Sequence, residues 1–175
     1  TGKSDRVDPA GYTIDANVED VENLRDALQL GPCGVLGHSW GSLIGLELAR
    51  RHPDWLHAYI GMGQMIYGRD NERLGYEWAL QSARADHNDK AVRELQALAP
   101  YPRADGTVTV AQIITQRDWV IHYGGLTWGR PDFDYAQDAA KFSPDYTRQE
   151  LSPEDGIGES LPRLLPAMMA WDVRA

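Results

Sequence analysis

The residues with the clearest chemical meaning are Gly37-His38-Ser39-Trp40-Gly41, which match the pattern G-x-S-x-G. In a nucleophile elbow of this kind, a serine occupies a sharp turn between a strand and a helix, and its hydroxyl is lifted clear of the sheet. The two glycines carry no side chain, so we expect the strand and the helix to pack closely around the bend. Ser39 is therefore a candidate nucleophile for attack on a carbonyl carbon.

The segments on either side of Ser39 are those that an elbow requires. The apolar run from Cys33 to Leu36 predicts a strand, and the pattern from Ser42 to Arg51 predicts a helix. The backbone N–H of Trp40, at the start of that helix, could donate to a developing oxyanion. A glycine-rich turn with an ordinary serine is the alternative, because G-x-S-x-G also arises by chance, but the neighbouring strand and helix favour the elbow.

The first 65 residues are typical of part of an α/β core. Residues 16–29 carry the apolar stripe of an amphipathic helix, with Asp15 as the expected N-cap and Gly31 as the expected C-terminal glycine. The segment from His57 to Met62 predicts a second strand. A strand, a helix and a strand in this order predict a parallel pair joined by a crossover helix, and hence an α/β fold.

After residue 65 the pattern becomes helical. Apolar spacing predicts one helix marked by Leu74, Trp78 and Leu80, and another that begins at the cap Asn88. Further helices are predicted over residues 110–123 and 160–171. A helical segment after a βαβ unit is typical of a cap, so we predict two parts: residues 1–65 belong to an α/β core, and residues 66–175 form a mostly helical cap.

Composition narrows the class of partner. The 175 residues carry a net charge of −9 and a pI near 4.9, which argues against nucleic acid or an anionic membrane surface. No apolar run approaches the length of a membrane span. Cys33 is the sole cysteine, so an intrachain disulfide and a cysteine-based metal site are excluded, and a reduced, cytoplasmic setting is expected.

Motifs for cofactors and metals are weak or missing. The residues from Thr1 to Ser4 match only the end of a phosphate-binding loop, and Pro9 and Gly11 interrupt the helix that such a loop needs. The chain has no H-E-x-x-H motif. We therefore expect no cofactor and no metal, and a small molecule or a short peptide as the substrate.

Five motifs follow one another along the chain, namely Gly2 to Arg6, Gly37 to Ser42, Arg51 to Pro53, Tyr59 to Gln64 and Trp119 to Gly125. Their order and spacing resemble those of the capped α/β-hydrolases, and within these the proline iminopeptidase-like enzymes. The resemblance covers most of the chain and is strongest in its first 65 residues.

The resemblance implies a Ser-Asp-His triad in that chain order. It assigns Ser39 as the nucleophile and the Trp40 N–H as one oxyanion donor. The second donor would lie on a loop after an earlier strand, and the acid and the histidine would follow strands beyond the cap. Because no such loop precedes Thr1, and the chain reaches Ala175 within the cap, we expect these three elements to lie outside the 175 residues.

Residues inside the chain are poor substitutes for these elements. His122 follows Ser39 and would sit over the site, although a histidine at the end of a helix has a simpler role beside the last carbonyl groups. His38 adjoins Ser39, but its side chain should point away from the Ser39 hydroxyl. Three carboxylates are equivalent as candidate acids: Asp70, Asp86 and Asp118.

The residues and the resemblance together predict a serine hydrolase that cleaves a small ester or a short peptide amide through an acyl-enzyme on Ser39. The alternative is a non-catalytic protein, either an incomplete hydrolase or a hydrolase-like binding module. No substrate-binding residue is assigned, although Glu77 could meet a substrate ammonium group. Four aromatic residues could line an apolar pocket or simply pack within the cap: Trp78, Trp119, Tyr123 and Trp128.

Overall fold

The computed structural model of the chain describes residues 8–132, 134–135, 141–144, 147 and 157–174, so the phosphate-loop match at residues 1–4 lies outside it. Its first part contains helix α1 (Ile14–Ala27), strand β1 (Cys33–His38), helix α2 (Trp40–Arg51) and strand β2 (Leu56–Met62). The strands pair in parallel, with Val35 opposite Tyr59 and Gly37 opposite Gly61. The predicted strand–helix–strand unit is confirmed, and α2 is its crossover helix.

Both ends of α1 differ from the prediction. The N-cap is Thr13 rather than Asp15, because the Thr13 side chain accepts a hydrogen bond from a backbone N–H of the first turn at 3.0 Å. Asp15 lies one residue inside the helix and forms an ion pair with Arg51 of α2. At the other end, Gln29 rather than Gly31 takes the left-handed conformation that terminates the helix, with φ of 52°.

The described residues after position 65 are mostly helical, as predicted. They include α3 (Gly68–Ala85), α4 (Asp89–Gln96), α5 (Val110–His122) and α6 (Ile157–Ala170). Asn88 caps α4, and Thr109 and Gln112 form a reciprocal capping box at the start of α5. Helix α6 continues through Pro162 and Pro166. Among the helices in the described ranges, none combines the length and the apolar character that crossing a membrane requires.

Apolar side chains from α3 to α6 build two buried clusters. One is formed by Ala79, Ala83, Ala91, Leu95 and Val120. The other joins residues between α4 and α5 to residues of α5 and α6, and consists of Tyr101, Val108, Ile113, Leu165 and Met169. The helices therefore enclose a hydrophobic core of their own.

The buried face of α3 is not the face that carries Leu74 and Trp78. Leu74 and Trp78 are 54% and 40% exposed, whereas Ala79 is fully buried. Small residues line the buried face, because α3 approaches α5 closely: a Cβ on Gly75 would lie 2.7 Å from the Gln116 side chain. Close helix packing favours small residues at the contact, and Leu74 and Trp78 therefore lie on another side of α3.

Among the residues that the structure describes, the two-stranded sheet is covered on one face only. Helix α2 packs against both strands and buries Leu43 and Leu48. On the opposite face, Leu36, Ile60 and Met62 are 61%, 58% and 51% exposed. Parallel strands are normally covered on both faces, so this open apolar face is unusual.

The segment after α6 returns to the point where the chain leaves β2. The Gly68 N–H donates to the Trp171 carbonyl oxygen at 3.0 Å, and the Val173 N–H donates to the Ile66 carbonyl oxygen at 3.0 Å. The Trp171 indole N–H also donates to the Met65 carbonyl oxygen at 3.2 Å. The helices from α3 to α6 thus begin and end at one place.

Candidate functional site

Ser39 lies between the end of β1 and the first residue of α2. Its backbone has φ of 52° and ψ of −120°. Residues with a side chain rarely adopt such a conformation, which costs about 1–3 kcal/mol and persists where the surrounding structure enforces it. The residue is exposed. The turn is therefore strained, and it presents a serine at the N-terminus of a helix, as the elbow pattern predicts.

Three hydrogen bonds hold the Ser39 backbone in this conformation. The Ser39 N–H donates to the Met62 carbonyl oxygen at the end of β2, at 2.9 Å. The Ser39 carbonyl oxygen accepts from the Ser42 N–H at 2.9 Å and from the Ser42 hydroxyl at 2.6 Å. Because both polar atoms of the Ser39 backbone are bonded, the turn cannot relax without breaking at least one of these bonds.

Both glycines were predicted to let the strand and the helix pack closely around the bend. This explanation holds for Gly37 and is wrong for Gly41. A Cβ on Gly37 would collide with the Gly41 carbonyl oxygen and lie 2.8 Å from Ser42 Cα. A Cβ on Gly41 would meet no atom within 4 Å in the described part of the chain. A second close approach, between α2 and β2, occurs one turn later at Gly45, where a Cβ would lie 2.6 Å from the Tyr59 ring.

The two neighbours of Ser39 lie in different surroundings. His38 is exposed and lies opposite Met62 on the open face of the sheet. Trp40 is half-buried, and its indole N–H lies 3.4 Å from the Asn17 side-chain oxygen of α1. As the first residue of α2, Trp40 has a backbone N–H without an acceptor inside the helix, so this group is available as the predicted oxyanion donor.

A polar cluster beneath the elbow was not anticipated from the sequence. It consists of the side chains of Ser42, Tyr59 and Gln64 and the backbone of Met65, and we call it the elbow clasp. The Ser42 hydroxyl accepts from the Met65 N–H at 3.1 Å. The Gln64 Nε2 donates to the carbonyl oxygens of Ser42 and Met65 at 3.2 and 3.0 Å.

Tyr59 completes the clasp. Its hydroxyl lies 2.7 Å from the Ser42 carbonyl oxygen and 2.5 Å from Gln64 Oε1, and its single proton is shared between these acceptors. Burial raises the pKa of Tyr59, so the phenol remains a donor at neutral pH. Tyr59 and Gln64 both belong to the segment Tyr59 to Gln64, which is one of the motifs that resemble the family. That resemblance was the one sequence feature that could have drawn attention to them.

Histidines outside the elbow, including the candidate base His122, have other contacts. His52 lies 2.9 Å from a Glu22 carboxylate oxygen and stacks on Trp55. His122 packs edge-on against the rings of Trp119 and Tyr123, with centroids 5.3 and 4.8 Å apart. In the parts of the chain that the structure describes, no histidine forms a hydrogen bond with the Ser39 hydroxyl.

The candidate acids are spread over the helical part. Asp70 lies 3.3 Å from guanidinium nitrogens of both Arg73 and Arg174. Asp86 is the C-cap residue of α3, and Asp118 is exposed on α5. These positions do not single out one of the three as the partner of a histidine.

The side chains considered for substrate binding already have neighbours in the helical part. Glu77 pairs with Arg73 at 2.9 Å. The Trp119 indole N–H donates to Glu94 at 3.0 Å, and Trp119 and Tyr123 pack against the cluster around Leu95. Trp78 lies over Gly125, where a Cβ would collide with its ring. For Trp78, Trp119 and Tyr123, these contacts favour packing within the helical part over the lining of a pocket. Trp128, the fourth aromatic residue considered, is 98% exposed.

Metal ligands do not cluster in the described ranges, where no group of three or more His, Cys, Asp or Glu side chains could hold an ion. The chemistry that this site can perform therefore rests on the Ser39 hydroxyl, the N-terminus of α2 and the hydrogen bonds that hold the turn.

Known proteins resemble this chain at the level of a family. A family model described as alpha/beta hydrolase fold matches residues 1–170. "Putative carbamate hydrolase RutD" of Pseudomonas syringae is 40% identical over 60 residues, which are 34% of this chain and 23% of that protein. "Proline iminopeptidase" of Chitinophaga pinensis is 33% identical over 75 residues, which are 41% of this chain and 25% of that protein.

A longer match has lower identity. "Uncharacterized hydrolase YraK" of Bacillus subtilis is 25% identical over 103 residues, which are 57% of this chain and 37% of that protein. The matched segments thus span well under half the length of each of these relatives. No solved structure matches the chain.

Proposed function

This chain belongs to the alpha/beta hydrolase fold family, and on that premise we propose that it is a serine hydrolase with Ser39 as its nucleophile. The observation that carries the proposal is the strained, exposed Ser39 at the junction of β1 and α2. The names of the matched relatives support hydrolysis as the class of reaction, since they are two hydrolases and a peptidase.

In the proposed mechanism, Ser39 Oγ attacks the carbonyl carbon of the substrate while a histidine base takes the hydroxyl proton. The carbonyl oxygen becomes an oxyanion, which accepts a hydrogen bond from the Trp40 N–H at the positive end of the α2 dipole. The C–O or C–N bond then breaks, and the alcohol or amine leaves with the proton. Water attacks the acyl-enzyme, releases the acid and returns the proton to Ser39.

The proposed substrate is a small ester or a short peptide amide. The similarity to a carbamate hydrolase and a proline iminopeptidase supports a carbonyl bonded to nitrogen, such as the amide after an N-terminal proline. We further propose that the helices after residue 65 act as a cap over the site, and that the protein works in the cytoplasm. The histidine, its acid partner and the second oxyanion donor are not assigned to residues of this chain.

A serine-directed fluorophosphonate probe tests the nucleophile directly. We expect labelling at Ser39, located by peptide mass spectrometry, and its loss in Ser39→Ala. Imidazole is added as an external base, so that labelling depends on Ser39 and the oxyanion donor wherever the histidine lies. Ser82→Ala, a serine variant in α3, is the matched control and should label like the unchanged protein.

Two results would contradict the proposal. Labelling that persists in Ser39→Ala would place the reactive group elsewhere. A folded protein that stays unlabelled with the probe and imidazole would favour the non-catalytic alternative. Hydrolysis of a p-nitrophenyl ester compared with a proline p-nitroanilide then separates the two proposed substrate classes.

A further inference from the structure

We propose that Gln64 is a positioning residue, which holds Ser39 in its strained conformation by acting through Ser42. The catalytic meaning of this role rests on the function proposed above. The hydrogen bonds that carry it are independent of that function.

The path from Gln64 to the nucleophile is short. Gln64 Nε2 donates to the Ser42 carbonyl oxygen at 3.2 Å, and the Ser42 hydroxyl donates to the Ser39 carbonyl oxygen at 2.6 Å. Ser42 is fully buried, so water cannot replace these bonds without entering the space between α2 and β2. The Ser42 carbonyl is therefore held directly by Gln64. The Ser42 hydroxyl that bonds Ser39 is held by the N–H of Met65, whose carbonyl oxygen Gln64 also bonds.

The site requires both a donor and an acceptor on one side chain, which an amide supplies. Gln64 Oε1 lies 2.5 Å from the Tyr59 hydroxyl, while Nε2 faces two carbonyl oxygens. A carboxylate in the same place would face those carbonyl oxygens without a proton to donate. The backbone also makes room for this amide, because a Cβ on Gly61 would collide with Gln64 Oε1.

The same cluster connects the nucleophile to the helical part of the chain. The Met65 carbonyl oxygen accepts from Gln64 Nε2 at 3.0 Å and from the Trp171 indole N–H at 3.2 Å. The Met65 N–H donates to the Ser42 hydroxyl at 3.1 Å. The segment that follows α6 therefore contacts the clasp two hydrogen bonds away from the Ser39 backbone.

The strain at Ser39 gives the clasp a measurable consequence. A backbone with φ of 52° and ψ of −120° relaxes when the groups that enforce it are removed. Relaxation would move Oγ away from the position that faces a bound carbonyl, and a displacement of about 1 Å can lower a rate about 100-fold.

The test compares Gln64→Ala and Gln64→Glu with Gln81→Ala, a matched control on the exposed face of α3. Two quantities are measured: amide hydrogen exchange at Ser39, and the saturating rate of fluorophosphonate labelling per folded molecule. We expect exchange at the Ser39 N–H to accelerate about tenfold or more in both Gln64 variants, and the labelling rate to fall by a similar factor. Gln81→Ala should match the unchanged protein in both.

Each outcome decides a separate point. Unchanged exchange at Ser39 in Gln64→Ala would overturn the proposal, whatever the labelling. Faster exchange with an unchanged labelling rate would overturn the positioning role, because the clasp would then be purely structural. If the unchanged protein is not labelled at Ser39, the proposed function fails, and the exchange data still decide whether Gln64 holds the elbow.

Discussion

The elbow region, from α1 to β2, and the helical region, from α3 to α6, are held together by different interactions. The helical region closes two apolar clusters, in which Leu95 is fully buried and Leu165 is 5% exposed. The elbow region leaves Leu36 and Ile60 more than half exposed. Its tightest features are backbone approaches and hydrogen bonds around Ser39 instead. The helical region thus provides most of the buried apolar core, whereas the elbow region fixes the position of Ser39.

Buried polar groups show the same contrast. In the helical region, Glu72 is 3% exposed, pairs with Arg117 at 2.6 Å and accepts from the Tyr101 hydroxyl at 2.7 Å. Those contacts join side chains of distant helices and loops. In the elbow clasp, the partners of Ser42 and Gln64 are mostly backbone atoms. The first arrangement stabilises packing between elements, whereas the second fixes the path of the backbone itself.

The largest expected effect comes from Leu95→Ala compared with Leu36→Ala. Leu95 is fully buried, so its truncation leaves a cavity and should cost about 2–5 kcal/mol. Leu36 is 61% exposed, and its truncation should change the unfolding free energy by about 0.5 kcal/mol or less. Urea unfolding midpoints measure both. Equal costs would show that the open sheet face is covered in solution, and the contrast between the regions would then disappear.

A smaller effect is expected at the elbow, from Gly37→Ala compared with Gly41→Ala. The new Cβ at residue 37 would collide with a backbone oxygen, so the strand or helix must move at a cost of about 1–3 kcal/mol. The Cβ at residue 41 enters open space at the start of a helix, where alanine is preferred to glycine by up to about 1 kcal/mol. Thermal unfolding distinguishes the two. A Gly41→Ala protein less stable than Gly37→Ala would refute the assignment of the close contact.

The smallest expected effect is a pH dependence of the folding stability, caused by Asp172 in the segment after α6 where the two regions meet. Hydrogen bonds from Arg174 lower the pKa of Asp172 to about 2, below its ordinary value of 3.8. Because the folded-state pKa is lowered, the stabilisation is present above about pH 4 and is lost as the pH falls towards 2. The difference in melting temperature between the unchanged protein and Asp172→Asn should shrink over that interval. An Asp172 carboxyl that titrates near 3.8 by NMR would rule out the contact.

Most of the architecture could be predicted from local sequence patterns. The strand before Ser39, the crossover helix and the cap at Asn88 each depend on residues within a few positions of one another. The strained turn was predictable for the same reason, since five consecutive residues encode it. The family match over residues 1–170 agrees with the family inferred from the motifs.

What sequence reasoning missed depends on contacts between distant residues. The buried stripe of α3 is set by how closely α5 approaches Gly75, and periodicity does not report that distance. The clasp joins Ser42 to Gln64 across 22 positions, so neither residue stands out in its own neighbourhood. The Gly41 explanation failed likewise, because the glycine of α2 that makes room for a strand residue is Gly45, which lies against the distant Tyr59.

The bonds between Trp171 and residues Met65 and Gly68 close residues 68–171 into a loop whose two ends meet. The entropy of closing such a loop grows slowly with its length, by about 0.6 kcal/mol for each doubling. Residues could therefore be inserted into the connections between these helices at little entropic cost, provided that the buried clusters around Leu95 and Leu165 stay intact. Insertions of this kind would change the helical region while leaving the turn at Ser39, the proposed nucleophile, unchanged.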